Sequence, residues 1–387
     1  MDIPVYYVHM NVLDNVRMHA PEINVKYIVH ALMWRSTMKL STLPRVRLAD
    51  LPTPLQELPN LSAALKGPRI LVKRDDLTGL AFGGNKTRKL EYLMADAINQ
   101  GADYIVTGAG FHSNWCTQAA AAARKLGMRV VLVKSGPKDG YEPEDIDGNH
   151  LLHHLMGAEI KVARPENTER VIEETMMELK AAGHKPYRLH ATGSTPPGVM
   201  GYVNTILELT SQAVDMGVDI DYLVHASGSG GTQAGLVLGA KMFSTGMKVL
   251  GVTTGGKTEE GQIERVSGLV KEAAELLGLS IDLAPGDVVV YNDYAGEGYG
   301  YVTDGKMEAV KLAAETEGLM LDPVYTASSM ACLIDLCRKD FFKPEDVVVY
   351  LHTGGPAALF PYKEPLKAYL GGEKRPWVIP PWSPASG

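Results

Sequence analysis

An α/β fold with two doubly wound parallel-sheet domains is what this sequence predicts, on three observations. Short β-branched runs alternate with helical patterns along most of the chain, as βαβ units around parallel sheets do. Glycine-rich turns join several of those strands to the helices that follow, which is where open α/β sheets bind ligands. At 387 residues the chain is long enough for two compact domains. It carries no repeat of ~20 to 50 residues, which removes solenoids and propellers.

In chain order, residues 1–37 lack the charged, apolar and small-residue succession of a secretory signal and read as an N-terminal extension with no assigned role. Met38-Lys39-Leu40 precedes Leu51-Pro52-Thr53-Pro54-Leu55, so an upstream extension and a later start are both open. Next comes Gly83-Gly84-Asn85-Lys86, a glycine-rich entry to a helix whose apolar residues Leu90, Leu93, Met94, Ala97 and Ile98 recur at helical spacing. Lys86 falls in the first turn. The positive end of the helix dipole and partial burial both lower the pKa of an amine there, as imine chemistry with an aldehyde cofactor requires. A surface lysine in a turn is the structural alternative.

Tyr104-Ile105-Val106 reads as a strand and runs into Gly108-Ala109-Gly110-Phe111-His112-Ser113-Asn114-Trp115 and a helix through Ala119 to Ala123. Ser113 and Asn114 would offer donors to a carboxylate or phenolate oxygen, although Ser-Asn is also an ordinary helix cap. Cys116 reads either as a reactive thiol or as a small buried residue. After a strand at Val130 to Val133, the paired prolines and glycine of Thr195-Pro196-Pro197-Gly198 break both periods and mark a candidate hinge.

The strand Tyr222-Leu223-Val224 leads into Gly228-Ser229-Gly230-Gly231-Thr232 and another helix. This is an anion cradle: glycines let backbone amides turn inward, Ser229 and Thr232 add hydroxyls, and the helix dipole favours a phosphate. It lacks the lysine of a triphosphate loop, and no acidic ribose partner follows, so a monophosphate cofactor is favoured over a dinucleotide. Strands are expected at Val249 to Val252 and Val288 to Val290, and Tyr299 and Tyr325-Thr326 fall in loops where phenols stack on a ring, move a proton, or simply pack. The apolar strand Val347 to Leu351 ends in His352-Thr353-Gly354-Gly355, where the Thr353 hydroxyl can meet a ring nitrogen or serve a plain strand-terminal turn. Pro376, Pro380, Pro381 and Pro384 predict an extended C-terminus.

Composition narrows the function. Hydrophobic residues at 45% and charged residues at 21% are those of an ordinary globular protein, and the clearest apolar runs are strand-length, so no membrane span is expected. A net charge of -7 and a pI near 5.9 argue against nucleic acid and for a small-molecule substrate. Cys116, Cys332 and Cys337 show no disulfide or metal-ligand pattern, and no metal is expected; a reducing, cytoplasmic setting fits.

Together, Lys86, Ser113-Asn114, Gly228 to Thr232, Tyr299, Tyr325-Thr326 and Thr353 resemble the fold type II pyridoxal-phosphate enzymes of the 1-aminocyclopropane-1-carboxylate deaminase and D-cysteine desulfhydrase family. The resemblance runs from about Leu51 to Tyr362, through the LPTPL start, the KRDDLTGLAFGGNKTRKLEYL block, TQAG, DPVYT and HTGGPAALF in order. It implies a tryptophan synthase β-like fold, with a small domain at 89–197 inserted in a larger cofactor domain at 38–88 and 198–387, usually as a homodimer. It makes Lys86 the Schiff-base lysine, Asn114 the partner of the cofactor's phenolic oxygen, and Gly228, Ser229, Gly230, Gly231 and Thr232 the phosphate holders. Ser113 would meet the substrate carboxylate or help in proton transfer, Tyr299 and Tyr325 would line the substrate side, and Thr326 and Thr353 would face the pyridine nitrogen.

The resemblance also implies chemistry. Cyclopropane-opening members carry glutamate after the DPVY tyrosine, whereas this chain has Thr326, as the desulfhydrase-like members do. A hydroxyl there cannot protonate the ring, so prompt loss of a β-substituent is favoured over racemisation or transamination. The expected reaction converts D-cysteine to pyruvate, ammonia and sulfide, with Lys86 removing the Cα proton. The turn departs from the family's usual Q-S-N pattern through His112, which titrates near neutrality, and Trp115, which adds bulk. A larger or differently charged substrate is therefore an alternative, L-cysteate with sulfite as leaving group among them. Ring-opening of 1-aminocyclopropane-1-carboxylate and a catalytically silent pyridoxal-phosphate-binding protein are the others.

Overall fold

The computed structural model describes residues 39–372; the N-terminal extension and the proline-rich tail lie outside the described residues. The strands are β1 (Leu55–Glu57), β2 (Arg69–Lys73), β3 (Tyr104–Gly110), β4 (Arg129–Ser135), β5 (Glu159–Ala163), β6 (Pro186–Arg188), β7 (Tyr222–Ala226), β8 (Lys248–Val252), β9 (Val289–Tyr291) and β10 (Val347–Leu351). They form a six-stranded sheet in the order β1-β2-β10-β7-β8-β9 and a four-stranded sheet in the order β5-β4-β3-β6. Every neighbouring pair is parallel except β1 and β2. The α/β class with two parallel sheets is thus the one expected.

The apolar runs became strands because a sheet covered by helices on both faces buries both sides of its strands. Val347 to Leu351 is buried at every position and pairs with both β2 and β7. The strands without such a run, β1, β5 and β6, are short and half exposed. One expectation is corrected. Ile98 is exposed, and the Lys86–Asn99 helix buries Leu90, Leu93, Met94 and Ala97 instead. Thr195-Pro196-Pro197-Gly198 opens the 21-residue Pro196–Met216 helix, where prolines at the first helical positions forfeit no hydrogen bond.

That long helix and β2 hold the Lys86–Asn99 helix through buried charge. Arg88, 1% exposed, donates from Nε to Asp75 Oδ2 (2.9 Å), from Nη1 to Glu208 Oε2 (2.8 Å) and from Nη2 to Asp75 Oδ1 (2.7 Å). Lys73 Nζ donates to Glu208 Oε1 at 2.5 Å and Gln212 Oε1 at 2.6 Å, and the Tyr202 hydroxyl to Asp75 Oδ2 at 2.5 Å. Burial alone would raise the Glu208 carboxyl, but the hydrogen bonds and charge of Arg88, with Lys73 behind them, hold it down to about 2.

A depressed carboxyl stabilises the fold above its unfolded pKa, here the ordinary 4.5, and loses that contribution as pH falls toward 2. Glu208→Gln should therefore cost about 3 kcal/mol in urea unfolding at pH 7 and less at pH 3. A gap that does not narrow in acid would show that the Glu208 charge is not what the cluster uses.

Candidate active site

Three strand ends of the two sheets converge on Lys86. The Gly83-Gly84 turn and the Thr353-Gly354-Gly355 turn after β10 touch backbone to backbone: a Cβ on Gly354 would stand 2.5 Å from Gly84 Cα. Gly84 and Gly354, at φ +129° and +86°, supply the conformations this approach needs. Asn85, buried between them, donates its backbone N–H to Thr353 O (3.0 Å) and its Nδ2 to Thr232 Oγ1 (3.0 Å). Thr87 donates its N–H (2.7 Å) and its hydroxyl (2.8 Å) to Gln118 Oε1, on the Asn114–Lys125 helix that follows β3. Lys86 is thereby clamped between the ends of β10, β7 and β3.

Around it lies a cavity of about 240 Å³ bordered by Lys86, Ser113, Asn114, Gly228, Ser229, Gly230, Thr232, Tyr299, Tyr325 and Thr353 among others. Lys86 is half-buried there, and loss of hydration pushes its amine down to about 8. Ser113 caps the Asn114–Lys125 helix, its Oγ accepting from Cys116 N–H at 3.3 Å. The Tyr299 and Tyr325 hydroxyls are 2.7 Å apart, and burial raises both pKa values, so both phenols are protonated at neutral pH. Among the described residues bordering the cavity there is no carboxylate, and Lys86 is the charged side chain.

The Gly228 to Thr232 loop is a braced cradle. Gly230, at φ +87°, caps the Gly231–Met242 helix, and Gln262 Nε2 donates to Gly228 O (3.1 Å) and Ser227 Oγ (2.9 Å) beneath it. Gly231 N–H donates to Ser194 Oγ at 3.2 Å, and the Ser194 and Ser229 hydroxyls are 2.6 Å apart. A Cβ on Gly231 would stand 2.5 Å from Ser194 Oγ and 2.9 Å from Lys89 Nζ. Lys89 is fully buried, with only long contacts to Ser194 Oγ (3.4 Å) and Thr192 O (3.5 Å); burial, then the charge of Lys86, hold its amine well below the usual range. Asn85, Lys89, Ser194 and Gln262 escaped the sequence reading. Asn85 precedes Lys86 in sequence, and Lys89 lies three positions after it on the same helix face; Ser194 and Gln262 gave no local signal.

Of the expected site residues, Thr326, His112 and Gly231 do not border the cavity, and Trp115 borders it with its indole buried. Thr326 is fully buried and does not border the cavity; its hydroxyl donates to Asp322 Oδ1 at 2.7 Å, while Asp322 also accepts the N–H groups of Val324, Tyr325 and Thr326. The DPVYT sequence is therefore a cap for the Thr326–Arg338 helix, and of the two threonines expected at the ring nitrogen Thr353 alone borders the cavity. His112 does not border it either, and burial, with the charge of Lys134, pushes its imidazole down to about 4, so it does not titrate near neutrality. Trp115 borders the cavity, but its indole is 1% exposed and donates to Thr107 Oγ1 at 2.8 Å, so its bulk fills the core between Leu93 and Gly193. Cys116, Cys332 and Cys337 are buried free thiols. No helix among the described residues is long and apolar enough to cross a membrane, and no group of metal-ligating side chains is present among them.

The arrangement suits an aldehyde-bearing phosphate: an amine of lowered pKa, a glycine loop that opens a helix at the cavity wall, and a second amine beneath that loop. Comparison with known proteins agrees. The chain is 41% identical over 332 residues to the 1-aminocyclopropane-1-carboxylate deaminase of Burkholderia cenocepacia, covering 84% of this chain and 98% of that one. It is 40% identical over 329 residues to the D-cysteine desulfhydrase of Klebsiella pneumoniae, again covering 84% and 98%. A crystal structure described as an ACC deaminase homologue superposes with a TM-score of 0.78 at 37% identity, covering 86% of this chain and 98% of that one. The tomato (Solanum lycopersicum) threonine deaminase isoform 2 shares the fold, with a TM-score of 0.60 at 17% identity over 84% and 89% of the two chains. Residues 46–354 match the family described as pyridoxal-phosphate dependent enzyme, and the chain belongs to that family.

Proposed function

We propose that this enzyme eliminates the β-substituent of a small amino acid, with D-cysteine as substrate and pyruvate, ammonia and sulfide as products. One observation carries the choice: among the described residues no carboxylate borders the cavity, so none of them is an acid at hand to protonate the cofactor's ring nitrogen. Bound pyridoxal phosphate supplies an aldehyde for amine capture and a ring that withdraws electrons from the substrate Cα–H bond. Without a protonated ring, that withdrawal is modest, which favours prompt departure of a good β-leaving group over a long-lived carbanion. Thr326 in place of glutamate points the same way even though its hydroxyl serves the helix cap.

Each role falls to a residue of this chain. Lys86 would hold the aldehyde-bearing cofactor, and its amine, when free, would take the substrate Cα proton. Gly228, Ser229, Gly230, Gly231 and Thr232 hold the phosphate, with Lys89 supplying positive charge behind the loop. Asn114 donates to the phenolic oxygen, Thr353 meets the ring nitrogen, and Ser113 receives the substrate carboxylate. The Tyr299 and Tyr325 pair delivers a proton to the departing sulfur, which two protonated, hydrogen-bonded phenols can do. Water then replaces the nitrogen, so that D-cysteine and water balance pyruvate, ammonia and hydrogen sulfide. A cytoplasmic homodimer belongs to the same reading; the exposed Leu155 and Phe360, on neighbouring elements, support a second copy covering that face.

With D-cysteine, sulfide and pyruvate should appear in equal amounts, and Lys86→Ala should lower turnover at least about 1000-fold. A 2-oxoacid from 1-aminocyclopropane-1-carboxylate without activity on D-cysteine would replace this reading with ring-opening, and sulfite from L-cysteate would replace the leaving group. Gly231→Ala, whose Cβ would crowd Ser194 and Lys89, should raise the dissociation constant for pyridoxal phosphate at least about tenfold in equilibrium dialysis. An unchanged constant would show that the cradle does not hold the phosphate.

A further inference from the structure

Asn114 can serve a phenolic oxygen only if its Nδ2, and not its Oδ1, is the end left free. Nothing about an asparagine side chain in a cavity wall fixes that choice, because the two ends have nearly the same shape. The choice is fixed from outside the cavity. Asn149, 1% exposed near the start of the Gly148–Leu155 helix, donates from Nδ2 to the backbone oxygen of His112 at 2.9 Å. A carbonyl oxygen only accepts, so this contact orients Asn149. The second Nδ2 hydrogen then reaches Asn114 Oδ1 at 2.8 Å, and Asn149 Oδ1 accepts from the Thr117 hydroxyl at 2.8 Å. The Thr117 hydroxyl has one hydrogen; its other acceptor, Ser113 O, is farther at 3.4 Å. Having donated, Thr117 accepts from His153 Nε2 at 2.9 Å, which makes His153 the neutral Nε2–H tautomer, with Nδ1 as a bare lone pair that has no partner in its fully buried site. The links from His153 through Thr117 to Asn149 are buried and the last, to Asn114 at the cavity wall, is part-buried, and each has one consistent polarity.

We propose that Asn149, itself held by Thr117 and His153, is a positioning residue that turns the Asn114 amide so that Nδ2 is presented to the phenolic oxygen of the cofactor. The inference rests on the reading of Asn114 as that oxygen's partner. The packing leaves this arrangement room: a Cβ on Gly355 would stand 2.5 Å from Asn114 Nδ2, so Gly355 gives the free end of the amide its space. The neighbouring ionisable groups are His112, His150, His154, Lys134 and Cys116; burial lowers the pKa values of His112, His150, His153 and Lys134. A protonated His153 would need an acceptor at Nδ1, and none is there among the described residues.

The test is a double-mutant cycle on the full-length protein loaded with pyridoxal phosphate, using Asn114→Ala, Asn149→Leu and the pair. It reads the cofactor's dissociation constant and the pH midpoint of its visible absorbance band. A donor on the phenolic oxygen stabilises the anion, so its loss raises the midpoint, and loss of one hydrogen bond to a charged group weakens binding about tenfold. Asn149→Leu should raise both quantities when Asn114 is present and change neither when Asn114 is already alanine. Additive effects, or a shift with Asn114→Ala and none with Asn149→Leu, would overturn the proposal while leaving Asn114 in its role. No shift with Asn114→Ala would remove that role, and the proposal with it. Should Asn149→Leu fail to fold, Thr117→Val breaks the same chain one link away; in the same cycle it should produce a smaller shift that also vanishes with Asn114→Ala, and an additive shift would overturn the proposal.

Discussion

The contact between Gly84 and Gly354 is the constraint from which the site follows. Two turns from distant parts of the chain can meet backbone to backbone only where neither carries a side chain. Once they meet, Asn85 reaches both the β10 turn and Thr232 of the glycine loop, and Lys86 is left facing the cavity. A Cβ on Gly354 would stand 2.5 Å from Gly84 Cα, so a side chain there would force the two turns apart. Catalysis with a bound aldehyde depends on such placement far more than on the lysine's intrinsic reactivity.

Charge is divided between holding and reacting. The Lys73, Asp75 and Arg88 of the charged block before and after Lys86 belong to a buried network with Glu208 that ties helix to sheet. Arg88, although buried, keeps its charge well above its usual range because Asp75 and Glu208 outweigh desolvation. Lys86 and Lys89 have no such anions near them, and both amines are lowered. Two poorly compensated amines beside a glycine loop form a site that gains most by taking in an anion, and a phosphate delivers one without any carboxylate of the protein's own. A pathway from fold to function is therefore visible in where acidic residues are present and where they are missing.

Much of this was legible in the sequence, for identifiable reasons. Buried parallel strands announce themselves as apolar runs, so β3, β4, β7, β8 and β10 were readable, as was the half-buried β9; the half-exposed β1, β5 and β6 were not, and β2, buried from Ile70 to Lys73 but ending in charged residues on both sides, was not read as a strand either. Lys86, the Gly228 to Thr232 loop and the tyrosine pair carry local signals, a glycine turn or an aromatic in a loop, and they meet at one cavity. What sequence could not supply was side-chain direction. Thr326 lies in a motif next to Tyr325, yet helix geometry turns its hydroxyl to Asp322; Trp115 follows Asn114, yet its indole points into the core. Asn149 and Ser194 matter only through partners many residues away, and no local pattern marks them.

The central claim is that Lys86, and not its buried neighbour Lys89, is the residue joined to the cofactor. Borohydride reduction of the yellow, pyridoxal-phosphate-loaded protein fixes the cofactor to its lysine, and peptide mass mapping then locates it. The account predicts a phosphopyridoxyl group on Lys86 with Lys89 unmodified. The group on Lys89, or no modified peptide from a protein that binds the cofactor, would contradict it.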